Sequence, residues 1–166
     1  MLVETYKIKS WKEELMGVVI KENDDWILIQ EIEGDYQVDG YTLLKKEFVK
    51  KRRSKKWEAQ VALVLQLQKH KPALRGFRFG AVPTMLRWIE KRFDIFAFQD
   101  KVEESIEIGK VEDIKDNVLG MHFLKANGKY ESEFIYDYKL SQLRKISFDT
   151  HYLRSLKLLN GHLEKE

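Results

Sequence analysis

The sequence predicts an α+β, mainly β protein built from two small bent antiparallel sheets, joined by a helical segment and closed by a C-terminal helix. Three observations lead there. Short apolar runs separated by Gly, Asn and Asp fill residues 1–54 and again 94–149. Between them, apolar residues recur at helical spacing. The two β segments also match each other at a nearly constant offset. The expected organisation is an N-terminal unit over 1–54, a helical connector over 55–93, and a C-terminal unit over 94–166 that includes the last helix.

In the first segment, residues 3–10 read as a strand, and Leu15 to Ile20 as a second that contains Gly17. Asn23-Asp24-Asp25 supplies turn chemistry, because short polar side chains satisfy nearby backbone groups. Trp26 to Ile32 follows as a strand apolar on both faces at its start. Gly34-Asp35 bends the chain, and Asp39-Gly40 predicts a tight hairpin between Tyr36–Val38 and Tyr41–Leu44. Phe48-Val49 reads as a short closing strand.

Trp57, Val61, Val64, Leu65 and Gln68 then predict a helix over 55–69, which Pro72 prevents from continuing. Leu74, Phe77 and Phe79 fall in a loop, and Thr84 reads as the N-cap of a second helix carrying Leu86, Trp88 and Ile89. Residues 93–98 return to strand composition. From Ser105 onward, Gly109 interrupts one strand, Asp116-Asn117 turns into Val118–Leu124, and Asn127-Gly128 predicts a hairpin. Its return strand runs from Lys129 to Tyr138, with Phe134, Tyr136 and Tyr138 on one face and Ile135 on the other. Ile146 to Phe148 gives a last strand, and Tyr152, Leu153, Leu156 and Leu159 a final helix ended by Asn160-Gly161.

Gly17 matches Gly109 at an offset of 92, Gly34 and Tyr36 match Gly128 and Tyr130 at 94, and Tyr41, Leu43 and Val49 match Tyr138, Leu140 and Ile146 at 97. The drift falls in turns, where insertions are tolerated. Short, glycine-bent strands joined by tight turns resemble SH3-like or Sm-like barrels, which avoid exposed edges by curling. The stretch Gly17 to Leu28, with Asp39 to Leu44, Ile108 to Val111 and Ile146 to Leu153, also resembles a group of uncharacterised bacterial proteins. That resemblance implies one continuous architecture. It implies no catalytic residues, since the group carries no established activity.

The net charge of +3 conceals a segregated distribution: 4 − 10 = −6 over residues 1–44, 15 − 3 = +12 over 45–92, and 11 − 14 = −3 over 93–166. Such a basic middle either faces an anionic partner or complements the chain's own acidic faces. The nucleic-acid-binding candidates are Lys50, Lys51, Arg52, Arg53, Lys55, Lys56, Arg75 and Arg78, interleaved with Trp57, Phe77, Phe79 and Trp88. Trp and Phe at helical spacing normally point inward, so these aromatics are expected in the core.

Catalytic chemistry has little to work with. Cysteine is absent, which removes disulfides, thiolate nucleophiles and cysteine metal sites. None of His70, His122, His151 and His162 stands at local zinc-ligand spacing, and neither a Walker A loop nor a nucleophile elbow is present. No catalytic residue, metal or cofactor is therefore expected; a convergent His122/His151 pair beside carboxylates would revive an enzyme reading. The N-terminus lacks a signal peptide's pattern, and no apolar run approaches the ~20 residues that span a bilayer. The expectation is a cytoplasmic, non-catalytic binding or interaction module, with an unknown protein partner or a homodimer and no membrane. The alternative is an RNA- or single-stranded-nucleic-acid-binding protein using the basic middle, and the second alternative an enzyme with an unrecognised site.

Overall fold

The computed structural model describes residues 1–166, apart from the side chains of Ile135 and Tyr136. The expected facing of Ile135 against Phe134, Tyr136 and Tyr138 lies outside the described residues. The chain is mainly β, with three helices of which one is C-terminal. It divides into two compact units, Met1–Phe77 and Arg78–Glu166.

The first unit holds β1 (Val3–Ile8), β2 (Glu14–Glu22), β3 (Trp26–Glu33), β4 (Gln37–Lys45), a 3-10 turn (Lys46–Phe48), β5 (Val49–Arg53) and helix α1 (Lys56–Leu67). The second holds α2 (Val82–Phe93), β6 (Phe96–Gln99), β7 (Glu107–Lys115), β8 (Val118–Phe123), β9 (Ile135–Lys139), a 3-10 turn (Leu140–Gln142), β10 (Lys145–Phe148) and α3 (His151–Leu163). The strands belong to one ten-stranded sheet in the order β5-β1-β2-β3-β4-β10-β6-β7-β8-β9. The expectation of two separate small sheets or SH3/Sm-like barrels is corrected on this point. Alternation and turn residues report strands and hairpins, which are local. Which strands then share one sheet is a long-range choice that they do not encode.

Each half nevertheless follows one plan, in which its last strand returns beside its first. Gly17 of β2 lies opposite Glu31 of β3, and Gly109 of β7 lies opposite Phe123 of β8. One residue is bulged out between Val19 and Lys21, and one between Val111 and Asp113. All of these positions differ by 92. Past the next hairpin, Ile27 pairs with Leu44 and Leu119 with Tyr138, so β4 and β9 correspond at 138 − 44 = 94. The expected offset of 97 for Tyr41, Leu43 and Val49 is thus three residues too long.

The bulges and glycines bend the sheet so that its faces can be covered. On one face of the first unit, Tyr6, Ile8, Trp11, Ile27, Ile29, Leu44 and Phe48 form one core cluster. On the other, Val3, Val18 and Ile32 receive Val61, Ala62 and Leu65 of α1. A Cβ at Gly17 would stand 2.5 Å from Ile29 Cδ1, and one at Gly109 would collide with the His122 carbonyl. Both positions therefore exclude side chains for reasons of space. In the second unit, Ile95, Ala97, Leu124, Leu153 and Leu156 pack together, which seats α3 on the sheet.

Several element boundaries differ from expectation. Asp39-Gly40 is no hairpin: β4 runs through it, and Gly40 takes φ +61° at a register shift opposite Gln30–Ile32. The reversal occurs at Gly34, also at positive φ. Thr84 lies within α2, whose N-cap is Ala81 and whose start Pro83 favours. Residues 93–95 belong to the end of α2 and its exit, where Asp94 adopts φ +75°. Gly109 does not interrupt β7, and the return strand β9 begins only at Ile135. Helix α3 continues through Asn160-Gly161 because Asn160 Nδ2 donates to the Gly128 carbonyl, anchoring the last turns to the hairpin.

Candidate functional site

The basic segment occupies β5 and the start of α1. Alternation along β5 sends Arg52 to one face and Lys51 and Arg53 to the other, and the register against β1 shifts at Lys50, so the four do not form one patch. Arg52 reaches Glu4 at 2.7 Å and Glu22 at 2.8 Å, and its guanidinium lies over the Tyr6 ring. Glu4 also accepts from the Tyr6 hydroxyl at 2.7 Å, and burial together with this carboxylate pushes the phenol pKa up. Arg53 bridges Glu14 at 3.2 Å and Glu58 at 3.1 Å. These two arginines therefore neutralise acidic residues of their own unit.

Glu58 is the deepest member of this network. Fully buried, it accepts hydrogen bonds from Thr5 Oγ1 at 2.7 Å, the Lys55 backbone N–H at 2.8 Å and Arg53 Nε at 3.1 Å. Burial opposes its ionisation, but the Thr5, backbone and Arg53 donors outweigh that and hold the carboxyl at about 2. Lys55 serves as the N-cap residue of α1, and Lys56 opens the helix. Lys50, Lys51, Lys55, Lys56, Arg75 and Arg78 are exposed. Of the interleaved aromatics, Phe77 is buried, whereas Trp57 is 39% exposed and leans on Tyr36 at 5.9 Å. The expectation that Trp57 is a core residue is corrected: on α1 the core face belongs to Glu58, Val61, Ala62 and Leu65, one position away.

The histidines take separate structural positions. His122, half-buried on β8, bonds through Nε2 to the Glu131 carbonyl at 3.0 Å and packs its ring on Tyr130 at 4.4 Å. His151 is exposed in the first turn of α3. His70 Nε2 meets Gln30 Oε1 at 2.8 Å. Among the described residues, no three His, Asp or Glu side chains gather to hold a metal ion. Among them too, no helix is long and apolar enough to cross a membrane.

A separate concavity lies in the second unit. It is a groove of about 600 Å³ between the start of β7, the end of β8, the hairpin beyond it, and the first turn of α3. Its floor is aromatic: Phe123 and Tyr138 meet edge to face at 5.9 Å, and Tyr138 packs on Phe98 at 4.9 Å. Its rim carries Ile106 and Tyr152, 56% and 54% exposed. Glu107, Glu131 and Glu133 line it against a single cation among the lining residues, Lys125, which already pairs with Glu131 at 3.8 Å. Burial, and then the carboxylates of Glu107, Asp100 and Asp137, push the Tyr138 phenol up to about 12.

Sequence reasoning missed this groove, because its residues come from five segments between Ile106 and Tyr152. The one local signal was Ile106, an apolar residue ahead of the strand core. No protein-family model matches the chain, and neither a curated protein nor a solved structure is significantly similar to it.

Proposed function

We propose that this chain is a non-catalytic binding module, and that the groove of the second unit is its recognition surface for a protein partner. The observation that carries the reading is the combination of shape and exposure. A concavity of about 600 Å³ falls within the size range of ligand sites, and it presents large apolar side chains, Ile106 and Tyr152, to solvent. His122 is engaged with the Glu131 carbonyl and the Glu131 carboxylate with Lys125, contacts that suit structure and support binding over turnover. A cytoplasmic setting and an origin of the two matched halves in one repeated unit belong to the same proposal. The test is copurification from extract, with and without nuclease. A nuclease-resistant protein partner that is lost with Tyr152→Ala and retained with Lys50→Glu/Lys51→Glu supports the groove.

Nucleic-acid binding is the second reading, favoured by the exposure of Trp57 beside Lys55 and Lys56. It requires filter retention of single-stranded RNA or DNA at low salt, weakened by Lys50→Glu/Lys51→Glu. No retention at low salt removes it.

A further inference from the structure

We infer that the groove of the second unit selects a cationic partner, specifically a short extended peptide segment in which arginines alternate with apolar residues. This inference rests on the groove being the recognition surface. The lining charge is 1 − 3 = −2, from Lys125 against Glu107, Glu131 and Glu133. Lys125 is committed to Glu131, and Glu107 accepts from Ser105 Oγ at 3.0 Å and from the Tyr138 phenol, which still leaves lone pairs of each carboxylate for an incoming donor. Glu133 is exposed at the rim.

Charge alone would suit any cation, and the aromatic and apolar parts narrow the choice. A guanidinium can stack on a tyrosine face while donating to a neighbouring carboxylate in a fixed fork, which an ammonium does less well. Tyr138 and Glu107 offer that pairing in the floor. Ile106 and Tyr152 stand exposed on the rim, where a polyamine would leave them wet but alternating apolar side chains would cover them. An extended segment places its side chains alternately, so arginines can enter while apolar residues meet the rim.

The experiment is calorimetric titration of the full chain with a capped seven-residue peptide alternating Arg and Leu. A Glu–Leu peptide of equal length and spermidine serve as comparisons. The Arg–Leu peptide is expected to bind with one-to-one stoichiometry and to weaken with salt. Glu131→Gln/Glu133→Gln is expected to lose at least about tenfold in affinity. Lys125→Gln is expected to gain affinity, a result that a misfolded variant could not produce. Equal binding of the Glu–Leu peptide, spermidine binding as tightly as the peptide, or unchanged affinity in the double glutamine variant would each overturn the inference. If Tyr152→Ala abolishes copurification but the Arg–Leu peptide does not bind, the cationic assignment falls and the groove stands. If Tyr152→Ala leaves copurification intact, the groove itself falls.

Discussion

Replacing Glu58 by Gln tests whether the basic segment is tied to the chain's own carboxylates. The side chain is fully buried and receives three donors, one each from β1, β5 and the residue before α1. Gln is nearly isosteric, yet its amide cannot accept on both sides. If its oxygen serves Thr5 and Arg53, its NH2 faces the Lys55 N–H, and the cap is lost at a cost of about 1 kcal/mol. The ion pair with Arg53 weakens as well. The pH dependence gives a separate measure of the magnitude. A carboxyl held at about 2, against 4.5 when unperturbed, corresponds to roughly 3 kcal/mol by linkage. Because Arg53 is 30% exposed, solvent screens part of this, and about 2 kcal/mol is the working figure.

The sign follows from the direction of the shift. A depressed carboxyl stabilises the folded state above the unfolded value near 4.5, and that contribution fades as pH falls from there towards about 2. Urea unfolding followed by tryptophan fluorescence should place the Glu58→Gln midpoint about 1 M below wild type at pH 7, for a slope of about 2 kcal/mol/M. The gap should shrink steadily between pH 5 and pH 2.5. Coincident midpoints at pH 7, or a gap that does not change with pH, would refute the network as described.

Other outcomes follow from single contacts. Gly109→Ala should destabilise by several kcal/mol or prevent folding, because its Cβ would collide with the His122 backbone; circular dichroism and solubility report this directly. Gly161→Ala should raise the melting temperature slightly, gaining up to about 1 kcal/mol, since the position lies within α3 and a Cβ there meets nothing within 4 Å. Thr150→Ala should cost about 1 kcal/mol, as its side chain caps α3 by accepting from the Leu153 N–H at 3.1 Å. Lys50→Glu/Lys51→Glu should leave thermal stability within about 0.5 kcal/mol of wild type, because both are exposed surface positions.

The readable parts of this fold were those governed by neighbours in sequence. Asp116-Asn117 places both residues at positive φ and turns β7 into β8, as its dipeptide chemistry requires. Trp26 to Ile32 is a strand as its composition requires: Ile27 and Ile29 join one core cluster, and Ile32 packs with Val61, Ala62 and Leu65 of α1. The correspondence of Gly17 with Gly109 was visible as two glycines in similar strands, while the shared bulge three residues later had no sequence mark. Asp39-Gly40 shows the limit of such signals. The same positive φ that makes a hairpin also makes a bulge, and only the pairing of Gln30 and Ile32 opposite decides between them.

By itself, then, the chain's order of residues determined its strands, its helices, its turns and the segregation of charge, since each follows from contacts a few positions apart. Tertiary structure alone decided that Arg52 and Arg53 face Glu4, Glu22, Glu14 and Glu58, and that Ile106, Glu107, Phe123, Glu131, Tyr138 and Tyr152 share one groove. Both arrangements depend on strand register, and a shift of one residue would turn strand residues such as Arg52, Arg53, Glu107 and Tyr138 to the opposite face.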